Sequence, residues 1–484
     1  MSQEASAEVA HGGTGTVPSR PAPSRSGSPG TGLGRFAAAG VDWLRSDLFL
    51  RTESGPVGWR KILLAIACVI GGAAVSLCRT VGAGSLNTTW IEDAKNLLSQ
   101  GLDSPFAQAL RTPISGYYQV PARIITEIAI AFPLSWAPGI MSAAAALQYA
   151  VYGLVAYIAS GPYLRSPWLR LLIAAPVCVI PLAYTQANND LVTVQFIGLY
   201  GAFWTLLWIP GTRAGRVLSP IVMLSVASTA ALAIVLAPLV VARLIVDRSK
   251  NAIFLTVCWA AGVLLQMSLT LEGKSKHYLF GFNGPLFVLK YYAGRVVPRA
   301  LFGESALGGP GANYRGDLEP LHLINTAAHV ALIGGAWAIV VVAVVLALTR
   351  FTDPNWALAA VAGLFSLAMF ADAMLINTAV VQPRYVIAPA LLLYAALVAL
   401  LRPRRREGAS RARAAFGWLP VAGFAVLLAV AVTLNFRVTN GRTSSPPWTS
   451  VVARATAACA HPGVTSYVYS HEWWQVIIPC TRVR

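Results

Sequence analysis

From Arg60 to Phe436 one pattern recurs: a run of apolar residues, then a short polar break. The runs lie near 62–80, 136–160, 169–187, 191–210, 217–230, 231–246, 251–271, 321–349, 354–373, 385–401 and 415–436. A helix that crosses the hydrocarbon core of a bilayer needs about 20 predominantly apolar residues, and most of these runs have that length. Charged residues make up only 12% of the 484, where a soluble protein carries about 25%, so the chain cannot build a water-facing surface over such runs. The expected fold is an all-α polytopic membrane protein with about eleven transmembrane helices. The runs at 217–230 and 231–246 are too short to cross separately with ease, and are expected to form a hairpin that dips to the outer face and returns.

Eleven spans put the two termini on opposite sides, and cations tell which is which. Arg165, Arg170, Arg213, Arg216, Arg243, Arg248, Lys250, Arg350 and the RPRRREGASRAR run at 402–413 all fall in alternate short loops. The turns between them, around Asn188–Asp190 and Gln382, carry Arg384 alone. The expected orientation is N-terminus inside and C-terminus outside. The formal charge of +18 is thus mostly an orientation signal, and nucleic acid is not an expected partner. Val120–Leu134 would reverse every later loop if it crossed. It is too short to do so, and with Ile124, Ile125, Ile128 and Phe132 on one face it reads as a helix lying on the outer leaflet.

Outside this core the composition changes. Residues 1–57 read as a disordered cytoplasmic tail, rich in Gly, Ser and Pro to residue 34. Its stretch 36–50 is either a short amphipathic helix on the membrane or more tail. The membrane domain is expected over 58–436, with outer loops at 79–135 and 272–320, and a small extracytoplasmic tail over 437–484. Of six cysteines, Cys459 and Cys480 fall in that tail. A disulfide between them, closing a loop of about 20 residues worth roughly 3 kcal/mol, is expected; the alternative is two free thiols.

Carboxylates are scarce, so their placement carries weight. Thr89 followed by Glu92 has the spacing of a capping box, which would turn Glu92 back onto the Thr89 N–H. Asp93 is then either a first-turn acid favoured by the helix dipole or a general base. Arg111, Tyr117, Tyr118 and Arg123 follow in a Pro- and Gly-shaped loop. The tyrosines are interface anchors or a sugar-stacking surface. The arginines would hold a phosphate, unless Arg123 pairs with Glu127. Asn188 and Asn189, at the outer end of a helix pair, are either substrate-binding groups or residues of a turn that Asx side chains favour on structural grounds alone. Arg384, beside Gln382 and Tyr385, stands where a span meets the interface, and is either a functional charge or a snorkelling one. In the second loop, Lys274, Lys276, His277, Lys290, Arg295 and Arg299 mix with Tyr278, Phe282, Tyr291 and Tyr292, a surface suited to anionic lipid headgroups or a lipid-linked phosphate. Trp448, Trp473 and Trp474 in the tail would stack on sugars or fill a small core.

This layout, with Trp90-Ile91-Glu92-Asp93, Gly116-Tyr117-Tyr118 and Pro121-Ala122-Arg123 in the first loop and Gln382-Pro383-Arg384-Tyr385 with Pro389 later, resembles the GT-C glycosyltransferases. The tail looks like that of large actinobacterial membrane proteins of this type. The resemblance implies inverting transfer of a sugar from a polyprenyl-phosphate donor to a glycan or glycolipid acceptor at the outer face of the plasma membrane. It makes Asp93 or Glu92 the catalytic base, and gives Arg384 and Tyr385 the donor phosphate. Where such enzymes use a divalent metal they carry a second acidic motif. No equivalent is evident, so no metal ligand is assigned. A carrier of lipid-linked envelope precursors and a non-catalytic envelope scaffold are the other functions this layout allows.

Overall fold

The computed structural model describes residues 39–52, 55, 57–114, 116–182, 188–272, 284–307, 327–376, 382–404, 415–437, 442–471 and 474–483. Residues 1–38, Lys274, Lys276, His277, Tyr278, Phe282, 405–414 and Trp473 lie outside that set.

Each of the eleven apolar runs contains a helix: α1 (Trp59–Leu77), α4 (Ala137–Ala159), α5 (Pro167–Val179), α6 (Val194–Leu207), α7 (Arg213–Ala227), α8 (Ala231–Val246), α9 (Lys250–Leu271), α10 (Ala327–Leu348), α11 (Trp356–Ile376), α12 (Pro383–Leu400) and α13 (Leu419–Leu434). In the first loop, α2 spans 91–103 and α3 spans Val120–Ile130. Six of the described helices, in α1, α4, α9, α10, α11 and α12, are long and apolar enough to cross a membrane by themselves. On α1, Ile62, Leu63, Leu64, Ile66 and Ile70 are all exposed, an apolar surface that only lipid solvates without cost. The protein is therefore a mostly helical membrane protein. At its centre stands α12, 94% buried.

Local chemistry accounts for the shorter helices. The run at 169–187 stops being helical at Val179, because Pro176 breaks the i−4 bonding within it and Pro181 holds Ile180 extended (ψ 129°). The runs at 217–230 and 231–246 form a helix pair, α7 and α8, joined at residues 228–230. Small residues let the helices approach: a Cβ on Gly201 would stand 2.8 Å from the Tyr152 ring, and one on Gly262 2.5 Å from Ala227.

Three segments differ from expectation. Residues 43–52 belong to the bundle, not the tail. Leu48 and Phe49 are buried, Tyr163 Oη donates to the Leu48 carbonyl, Thr52 Oγ1 donates to the Ile209 carbonyl at 2.9 Å, and the Arg243 guanidinium lies over the Phe49 ring. An apolar Leu-Phe pair has a larger gain in that socket than at a membrane surface. Second, residues 285–302, expected in an outer loop, form helix (Pro285–Tyr291 and Val297–Phe302 about a π turn) wedged among α10, α11, α12 and α13. Third, the C-terminal segment is not wholly helical. After α14 (Trp448–Cys459) it forms an antiparallel hairpin, β1 (Ser466–His471) with β2 (Trp474–Pro479), in the register Tyr469↔Val476. Trp448 and Trp474 are both buried; the first donates to the Leu134 carbonyl at 2.8 Å. They fill a core and present no face to a sugar.

The Cys459–Cys480 disulfide is present and ties the end of α14 to the end of β2. Cys459→Ser should destabilise this subdomain by about 3 kcal/mol, measurable as earlier proteolysis of residues 442–483 while the helical signal of the bundle is unchanged.

Candidate functional site

Residues 79–135 and 442–483 share one end of the bundle, and the rare charges converge there. Helix α2 starts at Ile91, with Ala94 N–H donating to Trp90 O at 2.7 Å. That makes Trp90 the cap residue and leaves Thr89 one position outside the helix. The capping box is therefore out of register, and Glu92 makes no capping bond. Its Oε1 instead accepts from Arg384 NH1 at 3.2 Å, with the two side chains 18% and 19% exposed. The Arg384 guanidinium also stands 5.8 Å from the ring centres of both Phe196 and Tyr385. These two rings meet edge to face, and Arg384 Nε has no partner among the described residues.

Asp93 turns the other way. It is buried, with Oδ2 accepting from Leu191 N–H at 3.0 Å and Oδ1 from Val192 N–H at 3.3 Å. Beside it is Asp190, fully buried, whose carboxyl interacts with that of Asp93 and is offered no other donor among the described residues. Behind both lies Arg442 from the C-terminal segment, 3% exposed. Its Nε donates to Thr88 Oγ1 at 3.0 Å. NH1 donates to the carbonyls of Asn188 (2.7 Å) and Asn189 (3.3 Å), and NH2 to the carbonyls of Ser85 and Thr88 and to Ser142 Oγ.

Burial, then the Asp93 and Glu92 charges, push the Asp190 carboxyl well above the ordinary aspartate range. Burial also raises Asp93, but the Asp190 proton, the two backbone N–H groups and Arg442 oppose the rise. Two carboxyls beside one guanidinium are neutral as a group when they hold one proton, and Asp190 is the one that holds it. The folded protein thus binds a proton that the unfolded chain releases above its ordinary value of 3.8. Stability should fall as pH rises from about 4 until the pair ionises. Asp190→Asn should flatten this slope in thermal unfolding scans of the solubilised protein; a slope unchanged in the variant would refute the shared proton.

The remaining candidates divide by what they touch. Asn189, at φ +56°, exchanges bonds with Ser76 at 2.8 and 2.9 Å, and Asn188 Nδ2 donates to Thr80 Oγ1 at 2.9 Å; both are buried and pin the turn to the end of α1. Arg123 is also buried. It donates to the Asn96 and Thr112 carbonyls and to Gln100 Oε1, so it holds the loop together and faces neither Glu127 nor an open phosphate site. Tyr118 is clamped through its backbone by Gln266 of α9, at 3.0 Å in both directions. Arg111 is exposed, while Tyr117 and Gln382 are half-buried. The structure thus brings Glu92, Arg384 and Tyr385 together over Asp93, and adds Asp190 and Arg442. Among the described residues no group of three or more His, Cys, Asp or Glu could hold a metal ion.

No protein-family model matches the chain, and no curated protein matches it significantly.

Proposed function

We propose that the chain is an inverting glycosyltransferase of the GT-C type, with its eleven helices spanning the plasma membrane and residues 79–135 and 442–483 on the outer face. The observation that carries this reading is the partly exposed Glu92–Arg384 pair, a carboxylate and a guanidinium side by side next to the buried Asp93–Asp190 pair. A base must reach the hydroxyl it deprotonates, so the role falls to Glu92 and not to buried Asp93. The acceptor oxygen forms its bond to the anomeric carbon as the bond from that carbon to the polyprenyl phosphate breaks. The hydroxyl proton passes to Glu92, and the departing phosphate takes the bonding electrons and is met by Arg384. Asp93, Asp190 and Arg442 fix the positions of α2 and the 188–192 turn.

The alternative reading is a carrier of lipid-linked precursors, favoured by Arg295 and Arg299 lying beside the middles of helices, where transporters place their sites. The two are separated by assaying purified protein in detergent with a radiolabelled polyprenyl-phosphate sugar and an envelope glycan acceptor. Transfer in detergent, where no membrane separates two sides, is expected. No transfer there, together with loss of sugar from the envelope glycans of a deletion strain, would sink the enzymatic reading.

A further inference from the structure

The wedge at residues 285–302 carries two cations that the proposed reaction does not use. Its place is set by three bonds. Trp337 Nε1 of α10 donates to the Ala293 carbonyl, the Tyr292 and Ser366 hydroxyls meet at 2.7 Å on α11, and Tyr394 Oη of α12 donates to the Ala300 carbonyl. Each of these three partners lies about ten residues from the loop end of its own helix, which at 1.5 Å per residue is about 15 Å along the axis. The wedge therefore packs at membrane depth.

Arg295 sits between those anchor points, half-buried, with its guanidinium 5.4 Å from the Tyr291 ring centre. No hydrogen bond or ion pair reaches it among the described residues. Arg299, one turn on, is buried and has Glu304 beside it. Arg295 is therefore a guanidinium without a counter-ion among the described residues, a costly arrangement at membrane depth. The anion that fits must match a guanidinium fork, as a phosphate does. It must also arrive through apolar surroundings. Leu286 and Leu289 on the same segment are 79% and 50% exposed, as are Val341, Val342 and Leu364 on the neighbouring helices. A soluble anion does not enter there, whereas an amphiphile brings its phosphate with its chains.

We infer that Arg295, supported by Arg299, binds the phosphate of an anionic membrane lipid. This site is separate from the Glu92–Arg384 pair and holds whether or not the chain transfers a sugar. The test uses the full chain purified from membranes and reconstituted in nanodiscs of phosphatidylcholine, with or without phosphatidylglycerol, followed by native mass spectrometry of retained lipid and by thermal unfolding. The wild type should retain phosphatidylglycerol in preference to phosphatidylcholine and unfold at a higher temperature in its presence. Arg295→Gln should cut that retention about tenfold, while Lys290→Gln, exposed on the same segment, should not. Excess inorganic phosphate should leave the bound lipid in place; displacement by it would show a free-anion site and overturn the lipid assignment. Equal retention in Arg295→Gln would overturn the site itself. If that variant fails to fold, the wild type still decides, because no preference for phosphatidylglycerol refutes the inference. Sugar transfer is not read at any point, so this outcome and that of the proposed reaction are independent.

Discussion

Arg442→Ala should destabilise the loop end of the protein by about 3–5 kcal/mol, the range for removing one partner from a buried charge network. The magnitude follows from what the guanidinium holds. Its bonds reach the 85–88 segment, the 188–189 turn and Ser142 of α4, three pieces of chain that also touch through Asn189 Nδ2 on Ser85 Oγ at 3.2 Å and through residues 85–87 packed on α4. Truncation leaves the carbonyls of Ser85, Thr88 and Asn188 buried with a donor missing, each at about 1–3 kcal/mol before relaxation, and removes the positive charge that faces the Asp93–Asp190 pair. Arg442→Lys should recover little. An ammonium keeps the charge but has three donors from one atom, and cannot reach carbonyls spread around a planar fork. Thermal unfolding, with proteolysis to report on residues 79–135, measures both variants. A loss below about 1 kcal/mol in the alanine variant, the size of one ordinary hydrogen bond, would show that the network is redundant.

That network also marks where sequence reading stops. The apolar runs were legible because helix period and span length are local properties, and every run contains a helix. The cysteine pair was legible because its two members were set apart from the rest. The partners of Arg442 lie 254 and 354 residues away in the chain, and nothing in the local pattern around Arg442 distinguishes it from a solvent-facing arginine. Glu92 and Asp93 show a subtler failure. Their importance was visible from scarcity, but their roles turned on whether Thr89 or, one residue later, Trp90 caps α2. A shift of one residue on a helix rotates a side chain by about 100°, enough to exchange the buried acid for the open one. The 285–302 wedge was unreadable for another reason. Its composition, with a lysine, two arginines and two tyrosines, is that of an interface loop, and only its long-range bonds to Trp337, Ser366 and Tyr394 place it among the helices.

The second large effect belongs to Glu92. If Glu92 accepts the acceptor proton, Glu92→Gln should lower kcat by about a hundred- to ten-thousand-fold while leaving the fold intact. The fold should survive because glutamine can still accept the hydrogen bond from Arg384 at this position, although it cannot take a proton. Asp93→Asn is the contrasting variant. An amide there would turn an N–H₂ group toward the Leu191 or Val192 N–H, and Arg442 would lose its counter-charge, so the loss should show first as instability and only then as activity. Arg384→Lys separates binding from proton transfer: it keeps a cation beside Phe196 and Tyr385 but loses the fork, and should weaken donor binding, read as a raised KM, more than it slows turnover. The decisive measurement is the rate of sugar transfer by Glu92→Gln and Asp93→Asn under conditions where unfolding shows both to be folded. A fully active Glu92→Gln beside a dead but folded Asp93→Asn would return the base to the buried acid pair, and would require α2 to open before the acceptor could reach it.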